Sequence, residues 1–463
     1  MQISRELVIG YTTQIYTAIL AIAFIPLYLN HFGAEAYGLI GFSLMLQGIV
    51  QLLDMGLGQT LMRETSRSCV DVNLKSSTYG LLLAGEKLFL FLSVFLVCLF
   101  LIALPWIASH WLKTENLPKS VIYDSVVFAV LLALTRLCIN FYRSGLLGHN
   151  LQEWTNVLGA FFASLRYFGS VPLLIFSNFD VMGLLAFQLL ISILELITYR
   201  HRIHYLSKPY SNTIPDAMTL LRQHYRMLGL LVIVSWLWMA ITQLDKVLLS
   251  HWLSLGDYGL FSLAISAAGV ITLIALPIGQ LLQPRFNRLA ASHDRSALLA
   301  LYCLTTRRLT FLFFSIGCFL AFFAEPILFL WTHDALHAQQ AAPILFWYAL
   351  GNVSVALLTL PFMLQYALGN LRLHVIGNLL FAALWIPALI WAGYTMGSIG
   401  TGKVWFFGNT LFLLIWTSYT HLRLFPELPK IWLLKNIVSI STPITATTYT
   451  FAWLLAPYFY LGK

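Results

Sequence analysis

Residues 37–67 read YGLIGFSLMLQGIVQLLDMGLGQTLMRETSR, and residues 258–288 read YGLFSLAISAAGVITLIALPIGQLLQPRFNR. Each holds an apolar run of membrane-spanning length that gives way to arginine. Nine of the 31 aligned positions are identical, with no gap. Tyr37-Gly38-Leu39 meets Tyr258-Gly259-Leu260, Gly48 meets Gly269, and Leu52 meets Leu273. Gly58-Gln59 meets Gly279-Gln280, Leu61 meets Leu282, and Arg67 meets Arg288. The same offset of 221 residues aligns Leu147-Gly148 with Leu368-Gly369 far downstream. The competing reading is that small residues recur in any apolar sequence. Chance recurrence, however, does not hold its register across two distant blocks.

The surroundings of both copies are equally apolar. The chain has 463 residues, of which 59% are hydrophobic and 10% charged, against roughly 25% charged in soluble domains. That composition excludes a cytosolic enzyme, a disordered scaffold, a disulfide framework and a nucleic-acid-binding module. A spanning helix needs about 20 apolar residues. Thirteen runs qualify, at about 7–29, 37–58, 80–105, 120–143, 154–176, 180–199, 227–251, 258–282, 309–331, 341–367, 373–395, 399–420 and 432–460. None shows the alternation of an outer-membrane barrel. The first run is full-length and lacks a small-residue cleavage site, so it reads as a span rather than a leader. The five cysteines have no metal spacing and read as reduced or inert.

Orientation follows from the 27 lysines and arginines. With the N-terminus inside, nineteen fall on the inner side, three outside (Lys113, Lys119 and Lys463) and five within spans, the asymmetry expected of cytoplasmic loops. The outer connections are short, the longest running from about Trp106 to Lys119, which leaves no room for an external catalytic domain. The inner loops 200–226 and 283–308 are longer and basic. Six spans separate the two repeat copies, so both copies point the same way and the repeat is parallel. The expected fold is an all-α polytopic membrane protein with two six-helix lobes around a central cleft. The lobes are expected at 1–205 and 227–422, joined by a basic linker at 206–226 and followed by an extra segment at 423–463.

The stretch Phe24-Ile25-Pro26-Leu27-Tyr28-Leu29-Asn30-His31-Phe32-Gly33-Ala34-Glu35-Ala36-Tyr37-Gly38-Leu39 resembles the first hairpin of the polysaccharide flippases. These belong to the multidrug/oligosaccharidyl-lipid/polysaccharide (MOP) exporter superfamily. Leu53-Asp54-Met55-Gly56-Leu57-Gly58, followed by Arg63-Glu64, resembles the end of their second span. Asp245-Lys246-Val247-Leu248-Leu249-Ser250, leading to Asp257-Tyr258-Gly259-Leu260, resembles their seventh-to-eighth-span turn. The resemblance covers about the first 420 residues by architecture and is motif-specific only near 24–67 and 242–290. It is closest to the Wzx group, which serves O-antigen, the glycan of lipopolysaccharide, and related surface glycans. It implies a flippase of the bacterial inner membrane that works by alternating access. The substrate it implies is an undecaprenyl-pyrophosphate-linked oligosaccharide, moved from the cytoplasmic to the outer leaflet. The implied partners are the bilayer and the polymerase and chain-length machinery of glycan assembly, with no cofactor. Thirteen spans depart from the family's twelve or fourteen and put the C-terminal topology in question.

The residues themselves point to charge inside the membrane. An Arg, Lys or Asp at a helix centre costs about 2.5–3.5 kcal/mol on insertion scales, so such groups face a cavity or a partner. Arg166 lies mid-span, and Arg136 shares a helical face with Asn140 and Arg143. Lys87 follows Glu86, while Lys246 and Lys403 lie in outer halves of their spans. A diphosphate headgroup suits these cations, because its oxygens accept charge-assisted bonds and Arg binds them bidentately. The alternative is internal pairing, of Glu86 with Arg136 or of Asp245 with a basic neighbour, or snorkelling near span ends. Two polar stripes recur at helical spacing: Gln47, Gln51, Asp54 and Gly58, then Gln188, Ser192, Glu195 and Tyr199. They suit glycan hydroxyls, or equally helix–helix hydrogen bonds. Asp54 and Glu195 are the candidates for a coupling proton or cation. Span 1 holds no acid, unlike many drug–cation antiporters of the same superfamily.

Two motifs point elsewhere. Gly397 to Lys403 reads G-x-x-x-x-G-K, but Val404 replaces the hydroxyl that a phosphate loop needs for magnesium. His333 and His337 have the i, i+4 spacing of a zinc-binding helix but sit in a short outer loop with no evident third ligand. His201 and His204 read as loop polarity. The leading expectation is a lipid-linked oligosaccharide flippase rather than an enzyme. The alternatives are a cation-coupled small-molecule or drug exporter on the same fold, and a glycan polymerase or acyltransferase.

Overall fold

The computed structural model describes residues 5–208 and 236–460, apart from 55, 70, 72–73, 177–179, 238–239, 293 and 371. Most of the expected linker, the start of the seventh span and Lys463 lie outside the described residues. Every named element among the described residues is helical. Nine helical stretches among them are long and apolar enough to cross a membrane, so the chain is an all-α, multi-pass membrane protein. It divides into two compact units, Met1–Gly259 and Leu260–Lys463.

The first unit contains α1 (Arg5–Ala23), α2 (Ile25–Val50), α3 (Leu57–Ser68), α4 (Lys75–Trp106), α5 (Lys119–Gly148), α6 (Gln152–Phe168), α7 (Ser170–Phe176) and α8 (Val181–Leu206). Its centre is α5, which packs against α2, α3, α4 and α8. Ile122, Val126, Ala133, Leu137 and Phe141 along α5 are all buried. Gly85 lets α4 lie directly on the Phe141 ring, where a Cβ would collide. The second unit continues α9 (Leu255–Ala268) and contains α10 (Val270–Ala291), α11 (Arg295–Phe322), α12 (Ala324–Thr332), α13 (Ala335–Ala367), α14 (Arg372–Leu411), α15 (Thr417–Leu424) and α16 (Ser439–Tyr460). Here α13 is central, packing against α10, α11, α12 and α14. The repeat register makes α5 and α13 equivalents: α5 ends on Leu147-Gly148, and α13 ends at Ala367, just before Leu368-Gly369. The same position in each copy thus becomes the most enclosed helix of its unit. Between α10 and α11 of the second unit, the Asp294 carboxylate caps α11, and bonds from the Ala297 amide and the Ser296 hydroxyl hold its pKa below the ordinary value.

Two of the nine stretches are too long for one crossing: Ile9–Asp54 has 46 residues and Arg372–Leu424 has 53. At 1.5 Å per residue these would reach roughly 70–80 Å, against a hydrocarbon core of about 30 Å. Each contains a glycine with positive φ, Gly33 at 80° and Gly397 at 59°, a region open to glycine at little cost. Gly397 is the bend of a helical hairpin. Phe381 meets Phe412 at 5.0 Å between ring centroids, Trp385 meets Trp405 at 5.8 Å, and Gly377 abuts Trp416. These pairs run antiparallel about residues 395–397. The phosphate-loop-like glycines are thereby assigned to packing, since Gly400 abuts the Ala392 carbonyl and Gly402 abuts Trp347. His333 and His337 are likewise structural. His333 takes a left-handed conformation that ends α12, and the Asp334 carboxylate accepts the His337 amide at 2.9 Å to start α13. The last predicted span is helical, a π-helical turn at Ile431–Val438 leading into α16, although it is not one of the nine stretches.

The helical stretch 240–252 was expected in the C-terminal lobe. By its contacts it belongs to the first unit. Gln243 lies on Gly48, the Trp111 indole donates to the Ser250 hydroxyl at 3.1 Å, and the Leu255 amide donates to the Lys113 carbonyl at 2.8 Å. Hydropathy locates a span but not the bundle it joins. The repeated Tyr-Gly-Leu motifs explain the attachment. Gly38 abuts the carbonyl of Leu255, four residues before Gly259, and Gly259 abuts the carbonyl of Ala34, four residues before Gly38. The crossing is reciprocal, and neither glycine has room for a Cβ. Glu35 secures the same end by accepting the backbone amides of Glu115 at 2.7 Å and Asn116 at 3.1 Å.

Overpacking a well-filled site costs about 1–3 kcal/mol, and here the obstruction is backbone that no rotamer can clear. Gly38→Val and Gly259→Val are each expected to lower the unfolding temperature of the purified protein by several degrees. Gly256→Ala, whose added Cβ would meet only the Ser254 hydroxyl oxygen at 4.0 Å, is expected to shift it less. Thermal unfolding in detergent, followed by tryptophan fluorescence, checks the ranking.

Candidate functional site

Three helices of the first unit bring ionised groups together at mid-span. Arg136 comes from α5, Arg166 from α6 and Glu195 from α8. The Arg136 Nη1 donates to Glu195 Oε2 at 3.0 Å, and the Arg166 Nη2 donates to the same oxygen at 2.9 Å. The side chains are 19%, 13% and 6% exposed respectively. Two guanidiniums on one carboxylate leave a net positive charge. The Arg166 Nε is buried with no hydrogen-bond partner among the described residues.

Sequence periodicity explains the convergence. Gln188, Ser192, Glu195 and Tyr199 lie on one face of the unbroken α8. The Tyr199 hydroxyl donates to the Thr155 carbonyl on α6 at 2.9 Å, and the Ser192 hydroxyl donates to the Gln188 carbonyl. This face therefore looks toward α6 and α5. On α5, Arg143 follows Arg136 by two turns, and its Nη2 donates to the Asn156 side-chain oxygen at 2.9 Å. The expected shared face of Arg136 and Arg143 is thus turned toward α6 and α8.

The other stripe does not continue. A short 3-10 turn, Gln51–Asp54, ends α2, and Gly56 takes a left-handed φ of 75° before α3 begins. Asp54 is spent locally: its carboxylate accepts the Gly58 amide at 3.0 Å. Among the described residues Gln47 reaches back to Ser43, at 3.4 Å, and Gln51 is exposed. The spacing was helical, but a glycine broke the helix that it assumed.

The remaining cations do not join the Glu195 cluster through any hydrogen bond or ion pair among the described residues. Lys87 is exposed on α4. Lys246 lies 3.4 Å from the buried carboxylate of its neighbour Asp245. Lys403 belongs to the second unit and lies over the Trp347 ring, 5.9 Å from its centroid. The alternative pairing of Glu86 with Arg136 does not form. Glu86 Oε1 accepts from the Tyr142 hydroxyl at 2.7 Å and from Arg200 Nε at 3.1 Å, with His204 Nε2 at 2.7 Å. The Tyr79 hydroxyl meets the other ring nitrogen of His204 at 3.2 Å. Sequence reading missed this network because it ended the sixth span at Tyr199, whereas α8 continues to Leu206. The available signal was the i, i+4 spacing of Arg200 and His204. Among the described residues, no group of three His, Cys, Asp or Glu is placed to hold a metal ion.

Comparison with known proteins places this architecture. Residues 5–290 match the model of the family described as polysaccharide biosynthesis protein. The chain belongs to that family. No curated protein matches it by sequence. Among solved structures it is similar to an inward-facing multidrug resistance MATE family transporter of the MOP superfamily, at 14% identity over 90% of this chain and 98% of that one, with a TM-score of 0.69. It is similar to the lipid II flippase MurJ in an inward closed conformation, at 15% identity over 98% of each chain, with a TM-score of 0.61. A MOP superfamily transporter from Pyrococcus furiosus aligns at 14% identity over 92% of this chain and 94% of that one, with a TM-score of 0.58. At these identities the likeness is one of fold. The polysaccharide biosynthesis family member described here has the MOP transporter fold that its first hairpin led one to expect.

Removing the shared carboxylate leaves two buried guanidiniums facing each other. Breaking a buried pair in this way costs about 3–5 kcal/mol. Glu195→Leu is expected to lower the unfolding temperature sharply. Combining it with Arg166→Met is expected to recover part of the loss, a non-additivity that a double-mutant cycle in detergent measures.

Proposed function

We propose that this protein is a flippase for an undecaprenyl-pyrophosphate-linked oligosaccharide, an O-antigen or related surface-glycan unit, which it carries from the cytoplasmic to the outer leaflet. The single observation that carries the reading is the net-positive Arg136–Glu195–Arg166 cluster at mid-span in a member of a polysaccharide biosynthesis family. Guanidiniums bind phosphate oxygens bidentately, and a cation held inside the membrane marks a substrate or ion pathway by default. The fold shared with a lipid II flippase supports a lipid-linked cargo. The protein acts as a transporter and not as an enzyme, by alternating access in the bacterial inner membrane, alongside the polymerase and chain-length machinery. Arg63, Arg67, Lys75, Arg200, Arg202 and Lys208 gather at one end of the first unit, and Lys113 and Lys119 lie at the other. The basic end faces the cytoplasm, which puts the N-terminus inside.

A second reading is a cation-coupled exporter of small molecules, favoured by the likeness to a multidrug MATE transporter. Depletion of the protein separates the two. The flippase reading expects lipid-linked oligosaccharide to accumulate on the inner leaflet. The exporter reading expects drug sensitivity without that accumulation. In cells carrying Arg166→Gln or Arg136→Gln, surface glycan is expected to fall at least about tenfold, the loss of one charge-assisted contact, while immunoblots of membranes show normal insertion. Normal glycan export by both variants would remove the cluster from the mechanism.

A further inference from the structure

The cluster contains an asymmetry that a simple ion pair lacks. Both guanidiniums bind one oxygen, Glu195 Oε2. Each spends one terminal nitrogen there, and Arg166 keeps a buried Nε with no partner among the described residues. The cations are therefore held but underused, because a guanidinium has five donors. Glu195 supplies one negative charge against two positive ones. Its neighbours on α8 cannot replace it: the hydroxyls of Ser192 and Tyr199 both donate to backbone carbonyls.

We propose that Glu195 is a built-in competitor for the substrate's anionic group, and that it sets a charge threshold for entry. The inference rests on the diphosphate reading given above. In the empty site the carboxylate keeps two like charges side by side in a low-dielectric interior. A ligand takes the guanidiniums only if it offers more than one carboxylate oxygen does. Two linked phosphoryl groups meet that condition, with at least two charges and enough oxygens to reach Nη1, Nη2 and Nε together. A singly charged phosphate ester or carboxylate does not. Glu195 is thus a specificity-determining residue that rejects monoanions and lowers affinity for every anion. It makes release as accessible as binding, because the departing headgroup is replaced from within the protein. A carrier must bind well enough to capture its cargo and weakly enough to let it go.

The test uses the full-length protein in detergent, with inorganic pyrophosphate and inorganic phosphate as probes and isothermal calorimetry as the readout. Glu195→Gln keeps the shape and an acceptor oxygen but removes the charge. It is expected to bind pyrophosphate about tenfold or more tightly than the wild type, the worth of a charged hydrogen bond. It is also expected to gain measurable phosphate binding, so the preference for pyrophosphate shrinks. Glu195→Gln with Arg166→Gln is expected to lose both. Should Glu195→Gln unfold, Glu195→Asp, which withdraws the carboxylate by one methylene, is expected to tighten pyrophosphate in the same direction to a smaller degree. Equal or weaker pyrophosphate binding by a folded variant, with wild-type binding intact, overturns the competitor role and leaves the flippase reading standing. Pyrophosphate binding by neither wild type nor variant overturns both.

Discussion

A carboxylate shared by two guanidiniums inside the bilayer is the constraint that the rest of the first unit serves. Any of the three groups alone is costly there, and the cost falls only if partners arrive from other helices. Glu195 has no cation of its own helix within one turn at mid-span. The pairing therefore requires α5, α6 and α8 to pack in one register, with Arg136, Arg166 and Glu195 level. The Tyr199 hydroxyl on the Thr155 carbonyl fixes α8 against α6 close by. Buried apolar residues along α5 hold it to α8. A slip of one residue in either helix would rotate its ionised group by about 100° and leave a charge without its partner.

Precision at the centre is bought by rigidity at the ends. At one end, the reciprocal glycine crossing of Gly38 and Gly259 lets two backbones meet without side chains between them. The Glu35 carboxylate then ties the 112–118 loop to the first hairpin turn. At the other end, Glu86 gathers Arg200, His204 and Tyr142, joining α4, α5 and α8. Both fastenings are polar, and both lie at the ends of the spans. Between them, among the described residues, lie apolar packing and the Arg136–Glu195–Arg166 cluster.

Much of this was legible in the residues. The apolar runs and the MOP-type fold followed from hydropathy and from motifs that glycine makes specific. Arg136, Arg166 and Glu195 were visible as mid-span ionisable groups, because such groups are rare enough to stand out. Their mutual pairing was not visible, since periodicity gives a face for each helix but not which faces meet. The stripe through Asp54 misled for a definable reason. Helical spacing was assumed across Gly56, whose left-handed backbone ends the register. His204 was missed because basic residues at a span end look like loop, although the helix carries them for nearly two more turns.

The distribution of neutral and charged partners gives the α5–α6 seam a direction. At its centre, two arginines share one acid. Two turns along α5, toward the basic end, Arg143 is held by the amide oxygen of Asn156, which carries no compensating charge. Passing from the midpoint to that end, the partner changes from a carboxylate shared by two arginines to the neutral amide that holds one, so each place keeps one positive charge over. On the proposed reading, an anion on that seam would meet first Arg143, held by a neutral amide, and then a pair whose charge it must contest with Glu195. On that reading the deeper position is the more selective, because only there does a carboxylate of the protein compete. That order comes from residue chemistry alone, and on the proposed flippase reading it is the order in which an anionic headgroup entering from the basic side would be collected and then tested.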